Sequence, residues 1–246
     1  MQDWAGRRYW LVGASEGLGR ALAEVLSRAG IEVIVSARNA ERLQELADSL
    51  PGKVQAVAMD VSDMASVRAA AEAVGPLDGV IYLAGAYWPF PAQRWDPEQA
   101  AIMGDVNFTG ALRVLGCVVP AMAAAGRGHV VVVGSLSGFR GLPGSIGYGS
   151  AKAGLMHLAE SMHADLRGSG VKVQLTNPGF IRTRLTERND FAMPQIMEPE
   201  DAARRVFEHM QTDRFKTSFP SPFAWLFRGG QLLPDRLWYG MFGKGA

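Results

Sequence analysis

Residues 11–20 read LVGASEGLGR, and this decapeptide decides the fold. A short apolar run, Arg8 to Val12, enters a turn in which Gly13, Gly17 and Gly19 stand at GxxxGxG spacing. Helical apolar spacing follows from Leu18 to Ala29. Strand, glycine turn and helix in that order open a unit that packs a helix on a parallel sheet. The glycines permit the tight turn and a close approach of backbone to backbone or to a ligand. A helix starting at such a turn points free N–H groups and the positive end of its dipole at an anion.

The alternation continues outward from that turn. Strand-like runs occupy Glu32 to Ser36, Lys53 to Met59, Gly79 to Leu83, Gly128 to Val133 and Val171 to Thr176. Helical patterns fill Glu41 to Leu50, Met64 to Val74, Pro97 to about Ala124 and Tyr148 to about Arg167. Apolar, β-branched strands alternating with helices predict a parallel sheet covered on both faces. With right-handed crossovers this is an α/β doubly wound sheet, a three-layer α/β/α Rossmann fold. The chain reads as one domain over residues 1–246, with 184–198 a substrate lid and 218–246 an apolar C-terminal extension.

Composition agrees and excludes other classes. The 29 glycines make up about 12% of 246 residues, against a usual ~7%. Cys117 is the only cysteine, so neither a disulfide framework nor a multi-cysteine zinc site is expected, and no metal is. Cys117 itself reads as core. A net charge of +1 offers no clustered basic surface for nucleic acid. No uninterrupted apolar run reaches the ~18 residues that span a bilayer, and no signal-peptide core precedes the first turn. The expectation is a soluble cytoplasmic protein.

The glycine turn admits a second reading. Gly13-Ala14-Ser15-Glu16-Gly17 also fits GxSxG, the nucleophile elbow of serine hydrolases. That mechanism needs a later acid and a histidine that reaches the serine. His129 opens an apolar strand, and His157, His163 and His209 lie in helical segments, which makes a hydrolase using Ser15 the remote alternative. Dinucleotide binding is the stronger one. At the end of the second strand an NAD site usually carries Asp or Glu for the ribose hydroxyls. Here Ser36 and Ala37 are followed by Arg38, and a guanidinium without an acid beside it suits a 2′-phosphate. NADP(H) is therefore favoured over NAD(H), with Arg42 a second candidate contact.

Chemistry concentrates in residues 131–155, VVVGSLSGFRGLPGSIGYGSAKAGL. Tyr148 and Lys152 lie four apart at a helix start and rise from one face. A phenol of pKa ~10 is a poor acid at neutral pH. A neighbouring ammonium is expected to lower that value and make Tyr148 a proton donor to a carbonyl. Ser135, thirteen residues upstream and just past a strand, can hold and polarise the substrate oxygen.

With these motifs in order, the chain resembles the short-chain dehydrogenase/reductase family from about Arg7 to Thr183. The resemblance rests on the glycine turn at Gly13, Asp60 in MDVSD, Ala84-Gly85, Asn107 in DVNFTG, Ser135, Tyr148-x-x-x-Lys152, and Asn177-Pro178-Gly179 with Thr183. It implies Tyr148 as general acid/base and Lys152 as the group that tunes it and holds the nicotinamide ribose. It further implies Ser135 orienting the carbonyl and Asn107 anchoring a water relay. Cofactor contacts would come from Gly13, Ser15, Glu16, Gly17, Leu18 and Gly19 in the turn, then Arg38, Asp60, Val61, Ala84 and Gly85. Pro178, Gly179, Ile181 and Thr183 would meet the nicotinamide end. Family members assemble as dimers or tetramers, which the segments 97–124 and 148–167 would mediate.

Two positions depart from the family pattern. Val12 stands where threonine is usual, and Tyr82-Leu83-Ala84-Gly85 replaces Asn-Asn-Ala-Gly. A hydroxyl and amide bonds that stiffen the central loops are missing, so altered local stability is expected rather than lost chemistry. The substrate is read from large apolar residues near the site, above all Trp88, Leu136, Leu142 and Phe180, with Tyr87, Phe90 and Phe139 nearby. These suit a hydrophobic ketone or aldehyde and its alcohol. A catalytically silent dinucleotide sensor or scaffold is the alternative, and the intact Ser135, Tyr148 and Lys152 count against it. The tail after Thr217 is crowded with Phe, Trp and Leu but broken by Pro220, Pro222, Pro234, Arg228 and Arg236. It is expected to cover the substrate cleft or meet a partner subunit, with contact to a membrane interface as the other reading.

Overall fold

A computed structural model describes residues 4–242. Seven parallel strands form one sheet: β1 (Arg8–Val12), β2 (Glu32–Ser36), β3 (Val54–Ala56), β4 (Gly79–Tyr82), β5 (Gly128–Val133), β6 (Val171–Pro178) and β7 (Lys216–Phe219). Their spatial order is β3-β2-β1-β4-β5-β6-β7. The direction of growth reverses between β1 and β4, where Tyr9 pairs with Gly79 and Val12 with Tyr82. That reversal opens the crevice in which such sheets bind ligands. The doubly wound α/β fold is the expected one.

Helices α1 (Gly17–Arg28), α2 (Ala40–Ser49), α3 (Met64–Val74), α4 (Pro97–Gly104), α5 (Gly110–Ala124), α6 (Ile146–Asp165) and α7 (Pro199–Met210) cover the two faces. One face buries Trp10, Val80, Val114, Val118, Val132 and Leu155, the other Leu11, Leu22, Leu26, Val35, Ile81 and Val206. Alternate residues of each strand thus feed opposite cores. Each fully buried aliphatic side chain contributes roughly 1.5–3 kcal/mol. Three of the helices start where the sequence supplies a cap: Asn39 accepts from the Arg42 N–H, Asp63 from Ala65 and Asp96 from Gln99. Helices α1, α5, α6 and α7 have no side-chain cap.

Several elements depart from expectation. Strand β3 shrinks to three residues because it is an edge, paired on one side only with β2. Strand β6 runs on to Pro178 because β7 pairs with its far end, Leu175 with Lys216 through Pro178 with Phe219. The short, polar Lys216-Thr-Ser-Phe219 carries too little apolar signal to be read as a strand. Helix α7 shows in the sequence reading only as an unbounded helical segment around His209, although Pro199 at its first turn with Glu200 and Asp201 marks a helix start. The stretch 97–124 is helical throughout but contains a π-turn, Asp105–Thr109, between α4 and α5. By length and a mean hydropathy of 1.4 it passes for a membrane span. Its Met103, Ala111, Val114, Leu115 and Met122 are buried within the protein, while Ile102 and Leu112 are exposed.

The apolar tail folds into two helices, α8 (Ser221–Gly230) and α9 (Asp235–Phe242). Ala224, Phe227 and the fully enclosed Trp238 pack on Leu136, with Phe139, Leu142 and Phe223 at the margin. Arg140 straps them down: its guanidinium donates to the Gly230 and Leu233 carbonyls, pairs with Asp235 and lies 5.3 Å over the Trp238 ring. Gly230 has a role the sequence left open. A Cβ there would sit 2.2 Å from the Trp238 ring, so only glycine lets that indole lie against α8.

Candidate active site

The glycine turn is shaped first by the protein itself. Gly13 has φ +101, and a Cβ on it would lie 2.6 Å from the Ala84 backbone at the end of β4. A Cβ on Gly19 would meet the Gly13 carbonyl. The N–H groups of Gly13 and Ala14 donate to the Ser36 carbonyl at 2.8 and 3.1 Å. The Ser36 hydroxyl accepts from the Trp10 indole at 2.8 Å. Both ends of Ser36 therefore serve the sheet, and Arg38 is the residue that projects at the end of β2.

In front of the uncapped α1 lies a cavity of about 480 Å³, lined among others by Ser15, Glu16, Gly17, Arg42, Thr183 and Arg184. Glu16 binds the guanidiniums of both Arg42 and Arg184, the latter at 2.9 Å. Open N–H groups, a helix dipole and several arginines could hold phosphate oxygens here. The residues present fit a dinucleotide.

Arg38 has a neighbour that the sequence reading did not give it. Burial raises the Asp60 carboxyl, but hydrogen bonds from Ser62 and the charges of Arg38 and Arg113 outweigh it and hold the group below its ordinary range. The guanidinium is thus near an acid, not free of one. Asp60 Oδ1 accepts from the Ser62 N–H and hydroxyl at 2.9 and 2.6 Å. Val61 and Ala84 are buried beside it, and Leu18 faces inward from α1.

Asn107 is fully buried in the π-turn. Its Nδ2 donates to the Met103 and Ala86 carbonyls, each at 2.8 Å, and its Oδ1 accepts from the Ala86 N–H at 3.3 Å. These bonds hold the loop just past Gly85, whose Cβ position would be 3.0 Å from Asn107 Oδ1. Tyr82, one of the two departures from the family pattern, compensates for what is missing. Its hydroxyl donates to the Val106 carbonyl at 2.6 Å and ties β4 to the π-turn.

Ser135, Tyr148 and Lys152 come together past the end of β5. Ser135 Oγ accepts from the Ser137 N–H at 3.2 Å and from its hydroxyl at 2.9 Å. Lys152 is buried, its ammonium 2.9 Å from the Val133 carbonyl and 5.7 Å from the Tyr148 ring centre. Burial brings the lysine down to about 8. Burial also pushes Tyr148 up to about 12, against a smaller pull from the Ser135 hydroxyl. The expected lowering of the phenol by its lysine is thus not what this structure holds; desolvation of both groups wins. Tyr87 packs edge-on against Tyr148 at 5.0 Å and donates to Asn189 Oδ1 at 2.6 Å.

The segment after β6 closes the opposite wall. Gly179 N–H donates to Phe219 at 2.7 Å, extending the ladder beyond Pro178. Ile181 pairs with Met197, and the Thr183 N–H donates to Thr186 Oγ1 at 2.9 Å. Residues 184–198 are docked rather than free of the body: Arg188 donates to the Tyr87 carbonyl and Arg184 holds Glu16. Of the residues read as substrate pocket, Phe180 lies 5.9 Å from Phe191 and 5.7 Å from Phe223. Trp88 carries Arg188 at 4.7 Å over its ring. Leu136 is 2% exposed beneath the tail helices, and Leu142 borders them. The tail's cover of this region was legible in its composition, but the Arg140 strap was not.

None of the histidines lines the Ser15 cavity. His129 binds Tyr9 and Gln174, His209 binds Thr176 and the Arg214 carbonyl, and His163 stacks on Phe215. The hydrolase reading of Ser15 lapses for want of a partner.

An open sheet with a cavity fit for phosphate at its switch point, and a tyrosine–lysine pair beside a serine, defines an NAD(P)-dependent oxidoreductase of the Rossmann class. The sequence profile of the short chain dehydrogenase family matches residues 9–192, and the chain belongs to that family. An uncharacterized oxidoreductase of Myxococcus xanthus is 37% identical over 244 residues, covering 96% of each chain. One from Staphylococcus epidermidis is 32% identical over 200 residues, 80% of this chain and 87% of that one. Among solved structures, a short chain dehydrogenase from Burkholderia cenocepacia in complex with NADP superposes with TM-score 0.86 at 25% identity, over 98% and 99% of the two chains. One from Sphingobium yanoikuyae in complex with NADPH gives 0.81 at 25%, over 98% and 96%. An enzyme of this family replaces the silent-sensor alternative.

Proposed function

We propose that the chain interconverts a hydrophobic ketone or aldehyde and its alcohol with NADP(H), using Tyr148 as general acid/base. The observation that carries the reading is the convergence of Ser135, Tyr148 and a buried Lys152 at one wall of the crevice. Gly13, Ser15, Glu16, Gly17, Leu18 and Gly19 would hold the pyrophosphate end, and Arg38 and Arg42 the 2′-phosphate. Asp60 and Val61 would receive the adenine, Ala84 would line the crevice, and Gly85, Pro178, Gly179, Ile181 and Thr183 would line the nicotinamide end. When bound, the dinucleotide supplies or accepts the hydride.

The chain's own groups handle the proton. Tyr148 keeps its proton through neutral pH because burial disfavours the phenolate, so it is poised as donor to a carbonyl oxygen. Ser135 donates a hydrogen bond to the same oxygen. The tyrosinate left behind is stabilised by the Lys152 ammonium, charged in most molecules below about pH 8. Asn107 Oδ1 accepts a single long bond and retains a lone pair for a relaying water. Support for an apolar substrate comes from Trp88, Leu136, Leu142 and Phe180 around the crevice. Support for NADP over NAD comes from Arg38 and from the absence of an acid at Ser36 and Ala37.

The reading is tested by following NADPH oxidation against a panel of apolar ketones and aldehydes. Tyr148→Phe is expected to reduce turnover at least about a thousandfold and to leave NADPH affinity within about twofold. Retained turnover would refute the role of Tyr148. The same reading expects a cytoplasmic homodimer or homotetramer joined through the α4–α5 and α6 helices, checked by sedimentation velocity and by cell fractionation.

A further inference from the structure

Helix α8 is apolar on two sides. Ala224, Phe227 and Gly230 face the Leu136 cluster. Pro222, Trp225, Leu226 and Gly229, spaced i, i+3, i+4 and i+7, form the opposite face and are exposed. A helix apolar all round is ordinarily enclosed. Helix α9 repeats the arrangement, with Trp238 enclosed and Leu237 and Met241 outward, and Leu232 in the connecting turn is 89% exposed. Ten large hydrophobic side chains are exposed among the described residues, and six of them fall between Trp225 and Met241. Among the described residues, the outer side of this hairpin is therefore the principal exposed apolar surface.

Its unpaired charges are of one sign. Asp235 is the only acid from Arg214 to Phe242, and Arg140 neutralises it. Arg228, 5.3 Å over the Trp225 ring, and Arg236 form no ion pair among the described residues. Lys244 adds another positive charge in the sequence. A two-fold contact with a second copy would press this cationic patch against itself, with only Asp235, already paired to Arg140, to receive the arginines. Anionic headgroups supply what is missing, and tryptophan, tyrosine and leucine with flanking arginines suit the boundary between headgroups and acyl chains.

We propose that the outer face of α8 and α9 docks on an anionic lipid surface. The inner face of the same hairpin rests on Leu136, next to Ser135. On the reductase reading, docking brings the substrate crevice beside the bilayer, where apolar carbonyl compounds partition.

The experiment floats the purified full chain, without added cofactor, on vesicles of phosphatidylglycerol and phosphatidylcholine. Binding is expected to the mixed vesicles, to be weaker on pure phosphatidylcholine, and to fall with salt. Trp225→Ser with Leu226→Ser changes only outward side chains. It is expected to lower the partition coefficient about tenfold or more, with the circular dichroism spectrum and turnover of a water-soluble carbonyl unchanged. Arg228→Glu with Arg236→Glu is expected to abolish the preference for anionic lipid. Failure of the wild-type chain to float at low salt, or equal flotation of the Ser variant, would overturn the proposal. So would a concentration-dependent dimer dissolved by the same Ser substitutions, which would give the face to a second copy. Partition is read without catalysis, so its outcome is independent of whether the chain reduces carbonyls.

Discussion

Lys152 makes a prediction about stability that runs against the usual effect of alkali. Burial lowers its pKa from 10.5 to about 8. In the unfolded chain the amine keeps its proton up to about 10.5, whereas in the folded chain it gives the proton up near 8. Between these values the unfolded state binds more protons, so this group makes stability rise with pH. The full difference corresponds to about 3.4 kcal/mol, and about 2.5 kcal/mol of it is gained between pH 7 and pH 10. Tyr148 and Tyr87, both pushed up to about 12, act in the opposite sense above pH 10, where the folded state retains protons that the unfolded state has lost. The assay is urea unfolding of the cofactor-free wild type and Lys152→Met at intervals from pH 7 to pH 10. Subtracting the two profiles cancels the titrating groups that do not interact with Lys152. Methionine preserves the volume but leaves the Val133 carbonyl without its donor, a constant offset of about 1 kcal/mol. The difference between the chains is expected to climb by about 2–3 kcal/mol across the interval. Profiles that stay parallel within about 0.5 kcal/mol would mean the ammonium is solvated, and the account of its burial would be wrong.

Arg38→Ala is expected to weaken NADPH roughly thirtyfold, the loss of one charge-assisted contact of about 2 kcal/mol, with NADH affinity almost unchanged. Equal losses by titration calorimetry would show that Arg38 does not read the 2′-phosphate. His129, enclosed between Tyr9 and Gln174, is lowered by burial from 6.5 to about 3. Its contribution is complete above its unfolded value and is lost as acid protonates the unfolded chain, so wild type should lose about 2 kcal/mol more than His129→Gln by pH 5. Coincident acid-unfolding profiles of the two chains would refute this. Tyr82→Phe removes the donor to the Val106 carbonyl and should cost about 1 kcal/mol in chemical unfolding, with a lower kcat at unchanged cofactor affinity. A kcat equal to wild type would confine Tyr82 to a packing role.

Legibility in the sequence followed the strength of local pattern. The strands that sit between two helical layers, such as His129 to Val133, are uninterrupted apolar runs and were readable without the structure. So was Tyr148-x-x-x-Lys152, because a helix of known period turns spacing into shared direction. Strand β7 was not, since an edge strand of four residues that buries only Phe219 needs no apolar pattern. The neighbour of Arg38 was not, because Asp60 lies 22 residues on and meets it only through the sheet order. The pKa directions at Tyr148 and Lys152 depend on how much water the folded loops exclude. In the sequence Tyr82 is only a deviation from the family pattern, and its hydroxyl bond to the Val106 carbonyl explains how the deviation is tolerated.

The π-turn at Asp105–Thr109 has a consequence for how this region can change. One extra residue in a single turn advances the helix by about 100°, so α4 and α5 are out of phase although the chain between them never stops being helical. Met103 before the turn and Val114 after it both reach the interior, and Asn107 reaches it from the widened, underwound turn itself. Deleting a residue here would restore a regular, more favourable helix and rotate either Asn107 or one of the two flanking faces toward solvent. The intervening length is thus a counted quantity, and substitutions are open to this helix where insertions and deletions are not.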